Sequence, residues 1–203
     1  MAGIFYRQAS PFDDNYRQEL ISSILTSEHF GPSVLGAEFV DTTGLSLVFR
    51  REYVVAVASN FPLLSPILEL AMFDTSNAFY VNPLVLDKRS SVGEHIDCRF
   101  IASSGVRVLP TVVSVYYAEI DETMSGGDLV FVTDDGEVAV RPRANEVVHF
   151  IGTARHYVSQ IESNHRRVSV VIEQYNLDDI SLLAFPECHL VQAHPSQVVP
   201  SRH

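Results

Sequence analysis

Between residues 13 and 30 the apolar positions Tyr16, Leu20, Ile21, Ile24 and Leu25 recur at intervals of three and four. This period predicts an amphipathic helix, with Asp13 and Asp14 at its start and Gly31-Pro32 at its end. A second helix is predicted over residues 64–73, where Pro66 falls in the first turn and its missing amide would have no intrahelical partner anyway. Residues 45–49 and 53–58 between the two helices read as strands. Beyond Asn77 the pattern changes to short β-branched or aromatic runs at 79–86, 111–117, 129–132, 138–140, 147–151 and 168–175. Turn chemistry separates them: Ser125-Gly126-Gly127 precedes one strand, and Asp134-Asp135-Gly136 joins two others in a tight hairpin. The expected class is mainly β with N-terminal helices, arranged as a sandwich or barrel. One domain over residues 1–203 is expected: a helix-and-strand support region at 1–76, a β core at 77–175 and a C-terminal extension at 176–203. The tail from His189 carries no periodicity, and partial disorder is expected there.

Composition narrows the function classes. A chain of 203 residues that is 46% hydrophobic can bury a sizeable core. A net charge of -11 and a pI near 5.0 argue against a nucleic-acid groove, which needs clustered cations. Fourteen basic residues still suffice for a local cationic pocket. The most apolar stretch, 61–73, is interrupted by Pro62, Ser65, Pro66 and Glu69, so no membrane span is expected. The two cysteines are distant in sequence and the first ten residues lack a secretory pattern, which makes the cytoplasm the expected compartment.

Candidate chemistry centres on His95-Ile96-Asp97. On a strand, residues two apart share a face, so an imidazole and a carboxylate would point together while Ile96 points away. Alone the triplet says little: eight histidines and twelve aspartates give about half an occurrence by chance. A third candidate ligand, His156, follows 59 residues beyond Asp97. Two imidazoles and one carboxylate on one side of an octahedron leave positions open for a bidentate co-substrate and O2, the arrangement expected for Fe(II). Zinc hydrolysis is the chemical rival and would need a general base, but Glu94 should face away from the ligands. Eleven residues after His156 comes Arg167-Val168-Ser169, offering a guanidinium and a hydroxyl from one strand face to a carboxylate. Arg166 should face the other way, into solvent.

Residues from about 79 to 175 resemble the Fe(II)/2-oxoglutarate dioxygenase superfamily, and more narrowly its prolyl 4-hydroxylase-like branch. The stretches that carry the likeness are Gly93-Glu94-His95-Ile96-Asp97, Val115-Tyr116-Tyr117, Ser125-Gly126-Gly127-Asp128-Leu129, Val147-Val148-His149-Phe150, His156-Tyr157-Val158 and Arg166-Arg167-Val168-Ser169. The resemblance implies a double-stranded β-helix, the cupin-like jelly roll, with N-terminal helices buttressing the larger sheet. It implies that His95, Asp97 and His156 are iron ligands and that Arg167 pairs with the distal carboxylate of 2-oxoglutarate, assisted by Tyr117 and Ser169. Tyr80 matches a further pocket tyrosine, with core packing as the alternative, because the connection at 87–93 is longer than the family pattern.

The activity so implied is hydroxylation of an unactivated C–H bond, with Fe(II), 2-oxoglutarate and O2 required and ascorbate supportive. Retention of Asp97 favours hydroxylation, since related halogenases replace that carboxylate by a small residue. The substrate is expected to be an amino acid, a small peptide or a biosynthetic intermediate. The alternatives are an aminoacyl or prolyl side chain of a protein and a non-oxidative cupin-like metal-binding role. Arg99 would share the face of His95 and Asp97 and meet an anionic substrate, with an ion pair as the other reading. His149, in an apolar strand, is expected in the core, and His165 in a turn.

Overall fold

The computed structural model describes residues 3–33, 35–98, 100–101 and 107–191. In chain order the elements are β1 (Phe5–Ala9), α1 (Asp14–Thr26), β2 (Gly31–Pro32), β3 (Phe39–Gly44), β4 (Ser46–Arg50), a 3-10 turn (Arg51–Tyr53), α2 (Val54–Asn60), α3 (Ser65–Ala71) and β5 (Ala78–His95). They continue with β6 (Phe100–Ile101), β7 (Arg107–Val108), β8 (Val112–Glu119), β9 (Leu129–Thr133), β10 (Gly136–Val140), β11 (Glu146–Ile151), β12 (His156–Val158), β13 (Arg167–Tyr175), α4 (Asp179–Ala184) and β14 (Cys188–Val191).

The antiparallel strand order β1-β11-β8-β13-β5-β12-β9-β10 curls on itself, as expected of a jelly roll. β5 is the hinge of the curl. Its first half pairs with β13 over nine residues, from Ala78↔Tyr175 to Leu86↔Arg167, and its last residues pair with β12 at Val92↔Val158 and His95↔His156. One strand therefore joins both layers and carries its own C-terminus across the cavity between them. Residues 87–93, expected as a connection, belong to this strand. The break in pattern there comes from a local kink: Arg89 has φ 75, its amide donates to the Ile161 carbonyl, and the Ser90 hydroxyl accepts from the Asp87 amide.

Alternation along β8 and β13 divides the core. Tyr116, Ala118, Val168, Val170 and Ile172 point outward and are covered by Leu20 and Ile24 of α1 and Ile67 and Leu68 of α3. Val113, Val115 and Tyr117 point inward against Leu129, Phe131, Val148 and Phe150. A 13-residue helix is marginal alone. α1 persists because Asp13 caps it through the Tyr16 amide and its buried Leu20, Ile21 and Ile24 each contribute roughly 1.5–3 kcal/mol.

Residues 53–58 are not a strand. They form the end of the 3-10 turn and most of α2, and the exposures give the reason: Val55 is 73% exposed and Val57 1%. In a strand these two would share a face. Packing of Val57 alone is satisfied by a 3.6 period, and Arg51 fixes the entry by donating to the carbonyls of Ser76 and Phe73. The predicted first helix stops at Thr26, short of Gly31-Pro32, which pair with β3 instead. The start of the supposed tail, residues 189–191, pairs with β4; the rest of it lies outside the described residues.

His149 is in the core as expected, between the Ser114 hydroxyl at 2.8 Å and the Gln8 amide oxygen at 3.0 Å, stacked on Tyr6. Burial lowers its pKa from 6.5 to about 4. Below pH 6.5 the unfolded chain takes up a proton that the folded chain refuses. Stability from this residue is therefore complete above pH 6.5 and lost as pH falls toward 4. In urea titrations at pH 7 and pH 5, His149→Gln should lose less stability between the two than wild type; equal losses would contradict the assignment.

Candidate metal and co-substrate site

His95 ends β5 and His156 begins β12, and the two are direct cross-strand partners with ring centroids 4.4 Å apart. Each Nδ1 donates to a backbone carbonyl, that of Gly93 at 2.8 Å and that of Ala154 at 3.0 Å. The bond fixes the tautomer and leaves each Nε2 lone pair directed inward. Asp97 completes the group, with Oδ1 3.3 Å from His95 Nε2 and Oδ2 3.5 Å from His156 Nε2. Donors sharing one ion at bond lengths of about 2.1 Å lie roughly 3 Å apart when adjacent. The three side chains, with ligand atoms all within 4.8 Å of one another, are thus placed to hold one metal.

The spacing works by a different route from the one expected. β5 stops at His95, and Ile96 and Asp97 follow it outside the strand, with Ile96 37% exposed. The carboxylate swings back toward the two imidazoles rather than standing beside His95 on a regular pleat. Glu94 faces outward and pairs with Arg155 at the surface, so no general base from this position reaches the triad. Burial lowers the pKa of His156 despite Asp97, which keeps its imidazole in the neutral, ligating form. At His95 burial also lowers the pKa, but the hydrogen bond and charge of Asp97, the Gly93 carbonyl and Glu38 together raise it.

The triad lines a cavity that is partly open to solvent. Arg167, the first residue of β13, lines the same cavity and is 2% exposed. One terminal nitrogen donates to the Gly127 carbonyl at 2.8 Å, and the guanidinium carbon sits 4.9 Å from the centre of the Tyr117 ring. Its Nε and the Tyr117 hydroxyl, both buried, have no hydrogen-bond partner, and among the described residues no carboxylate forms an ion pair with Arg167. Burial lowers the Arg167 pKa, opposed by Tyr117 and Asp128. Burial raises that of Tyr117, which stays a donor. A buried cation is costly without a counter-charge, and two idle donors beside it describe a receptor for a carboxylate.

Of the remaining expected residues, Ser169 is buried between Tyr117 and Leu84 in the sheet and donates to the Leu84 carbonyl at 3.4 Å. Tyr80 both lines the cavity and packs in the core, hydrogen-bonded to the Ser46 hydroxyl. Arg166 faces outward in an ion pair with Glu119. His165 follows a bend at 163–164 and lies beside Asp121. Arg99 lies outside the described residues. Sequence reasoning missed Asn82 and Glu173, which also line the cavity. A signal was present: each is a polar residue in an apolar strand, and Glu173 is six residues from Arg167 and so on the same face of β13.

The Ser125-Gly126-Gly127 turn supplies the carbonyl that holds Arg167. Gly126 has φ 76, and a Cβ there would meet the Gln160 carbonyl oxygen at 1.8 Å. Gly126→Ala should therefore cost more than about 1 kcal/mol in thermal unfolding. It should also weaken carboxylate binding at Arg167; unchanged stability would mean that the turn is not held as described.

No protein-family model and no curated protein sequence matches the chain. Solved structures do match. A prolyl-4-hydroxylase from Pseudomonas putida superposes with a TM-score of 0.58 at 18% identity, over 87% of this chain and 95% of that one. A prolyl hydroxylase from Trichoplax adhaerens, in complex with a peptide fragment of the hypoxia inducible factor oxygen degradation domain, gives 0.54 at 14% identity, over 86% and 84%. HygX from Streptomyces hygroscopicus, with nickel, 2-oxoglutarate and hygromycin B bound, gives 0.51 at 11% identity, over 83% and 81%. The curled antiparallel sheet with α1 and α3 on one face is the fold this chain shares with the 2-oxoglutarate and Fe(II) oxygenases, prolyl-4-hydroxylases among them.

Proposed function

We propose that this protein is an Fe(II)- and 2-oxoglutarate-dependent dioxygenase that hydroxylates an unactivated C–H bond of an amino acid, a small peptide or a biosynthetic intermediate. The observation that carries this reading is one cavity with a three-ligand metal group and, in the same space, the buried Arg167, which has no carboxylate ion-pair partner among the described residues. When bound, Fe(II), 2-oxoglutarate and O2 supply the oxidation: one oxygen atom goes to the substrate C–H bond and the other to succinate, with loss of CO2.

His95, Asp97 and His156 would hold the metal through two imidazole nitrogens and a carboxylate oxygen. Arg167 binds the far carboxylate of 2-oxoglutarate in a charge-assisted contact, with the Tyr117 hydroxyl as a second donor. The apolar rings of Phe150 and Phe39, 4.9 Å from His156 and 5.5 Å from His95, exclude water from the ligand side. Ser169 acts through the sheet, keeping β13 in register beside β5. A prolyl or other aminoacyl residue of a protein is the second reading, supported by the peptide held by the Trichoplax neighbour. A non-oxidative metal-binding role leaves Arg167 without purpose, and zinc hydrolysis would need a base other than Glu94, which faces outward.

Anaerobic addition of Fe(II) and 2-oxoglutarate should produce the visible charge-transfer absorption of a keto acid chelated to ferrous iron. Admission of air with ascorbate should release succinate. Iron bound without that absorption would overturn the proposal.

A further inference from the structure

Arg167 is held by a turn that its own sequence leaves loose. Gly126 and Gly127 follow one another at φ 76 and 74, and consecutive glycines give the backbone its greatest freedom to reorient a carbonyl. Adjacent carbonyls of this pair accept from two different arginines. That of Gly127 takes an Arg167 terminal nitrogen at 2.8 Å, and that of Gly126 takes a terminal nitrogen of Arg141 at 2.7 Å. Arg141 follows the last residue of β10, and its guanidinium spans the turn. The second terminal nitrogen donates to the Met124 carbonyl, while the first also reaches Asp128 Oδ1 at 3.1 Å. The backbone of Arg141 is itself fixed by Arg7 of β1, which donates to its carbonyl at 2.8 Å and pairs with Glu146. On the other flank the Ser159 carbonyl receives the Gly127 amide at 3.1 Å.

The side chains of Arg141 and Asp128 are 38% and 32% exposed, so the attraction between their charges is screened and modest. The larger consequence is geometric. Two carbonyls flanking Ser125 and the carboxylate after Gly127 are gripped by one group, which needs the planar fork of a guanidinium. Arg167 lies behind that grip, buried, with its Nε idle and one terminal nitrogen aimed by the Gly127 carbonyl. Hydrogen bonds weaken steeply with misalignment, and those to a charged group have the most to lose. We infer that Arg141 is a positioning residue for the co-substrate: by fixing the Gly126-Gly127 turn it aims the Arg167 guanidinium at the distal carboxylate of 2-oxoglutarate, and by pairing with Asp128 it keeps that acid from opposing the incoming dianion. The inference rests on the oxygenase reading and deepens it. The charge of Asp128 is felt at both Arg167 and Tyr117, so its neutralisation acts on both donors of the receptor.

The test is the affinity of the Fe(II)-loaded protein, without air, for 2-oxoglutarate and for 2-oxopentanoate, in which a methyl group replaces the distal carboxylate. Both are read by the charge-transfer absorption. The ratio of the two dissociation constants isolates the carboxylate receptor, and a partial loss of folded protein or of metal does not move it. In Arg141→Met the preference for 2-oxoglutarate should fall by about tenfold, the worth of one hydrogen bond to a charged group, with 2-oxopentanoate binding unchanged. In Arg141→Gln, which keeps one amide donor, it should fall by at least about threefold. Arg143→Met removes an equal charge from an exposed residue two positions on and should keep the wild-type preference. A wild-type preference in either Arg141 variant, the same fall in Arg143→Met, or failure of both Arg141 variants to bind 2-oxopentanoate overturns the inference. If wild type prefers 2-oxoglutarate, the oxygenase reading survives any of these failures; if wild type shows no preference, both fall together.

Discussion

Asp97→Asn is expected to reduce succinate release by more than about 100-fold while leaving the protein folded. The change conserves volume and removes only the negative charge between two imidazoles. Partners that lie outside the coordination shell are each worth a factor of roughly 10–100 in metal affinity or activity, so loss of an anionic ligand itself should exceed that range. Ferrous-iron binding, read by the charge-transfer absorption at rising iron, should weaken in parallel. Glu94→Ala provides the contrast. Its carboxylate is at the surface with Arg155, and its removal should change turnover by less than about threefold, the range of a solvated ion pair. A zinc hydrolase using Glu94 as base would show the opposite order. Loss of activity in Glu94→Ala, with Asp97→Asn active, would remove the ligand assignment.

The β half of the molecule was legible because its strands are bounded by turns that only certain residues make. Asp134-Asp135-Gly136 closes β9 on β10 with Gly136 at φ 118, as its sequence requires. Alternation along β13 also puts Arg167 and Arg166 on opposite faces, the first lining the cavity and the second paired with Glu119. Less legible were features set by tertiary contact. Val54-Val55-Ala56-Val57 has strand-like composition, and only the one-sided burial of Val57 makes it a helix. β5 continues past the kink at Asp87, Lys88 and Arg89 because β3 pairs with it on both sides of that kink, at residues 84–86 and at Ser91 and Val92, which no local signal announces. Asn82 and Glu173 are polar residues within otherwise apolar strands. Their meaning depends on facing the same cavity as the metal group, a relation between β5 and β13 rather than a property of either segment.

Arg167→Met should separate function from stability in the direction opposite to most core substitutions. The guanidinium is buried, carries its charge without an ion-pair partner among the described residues, and lies over the Tyr117 ring. An uncompensated buried charge costs several kcal/mol, and apolar replacement of buried ionic groups is often neutral or stabilising by about 1–4 kcal/mol. Against this stands the loss of one hydrogen bond to the Gly127 carbonyl, worth about 1 kcal/mol and up to about 3 if the carbonyl stays dry. The protein without co-substrate should therefore melt no lower than wild type by more than about 2 °C. Binding should suffer in full. With no cation facing it, the distal carboxylate of 2-oxoglutarate would enter a site that cannot neutralise it, and affinity should fall by at least about 100-fold, corresponding to roughly 3 kcal/mol. Addition of 2-oxoglutarate with Mn(II), a redox-quiet stand-in for iron, should raise the melting temperature of wild type through mass action and leave Arg167→Met unmoved at the same concentration. Tight co-substrate binding by a variant that has lost several kcal/mol of stability would make Arg167 a structural residue and assign the carboxylate to another cation.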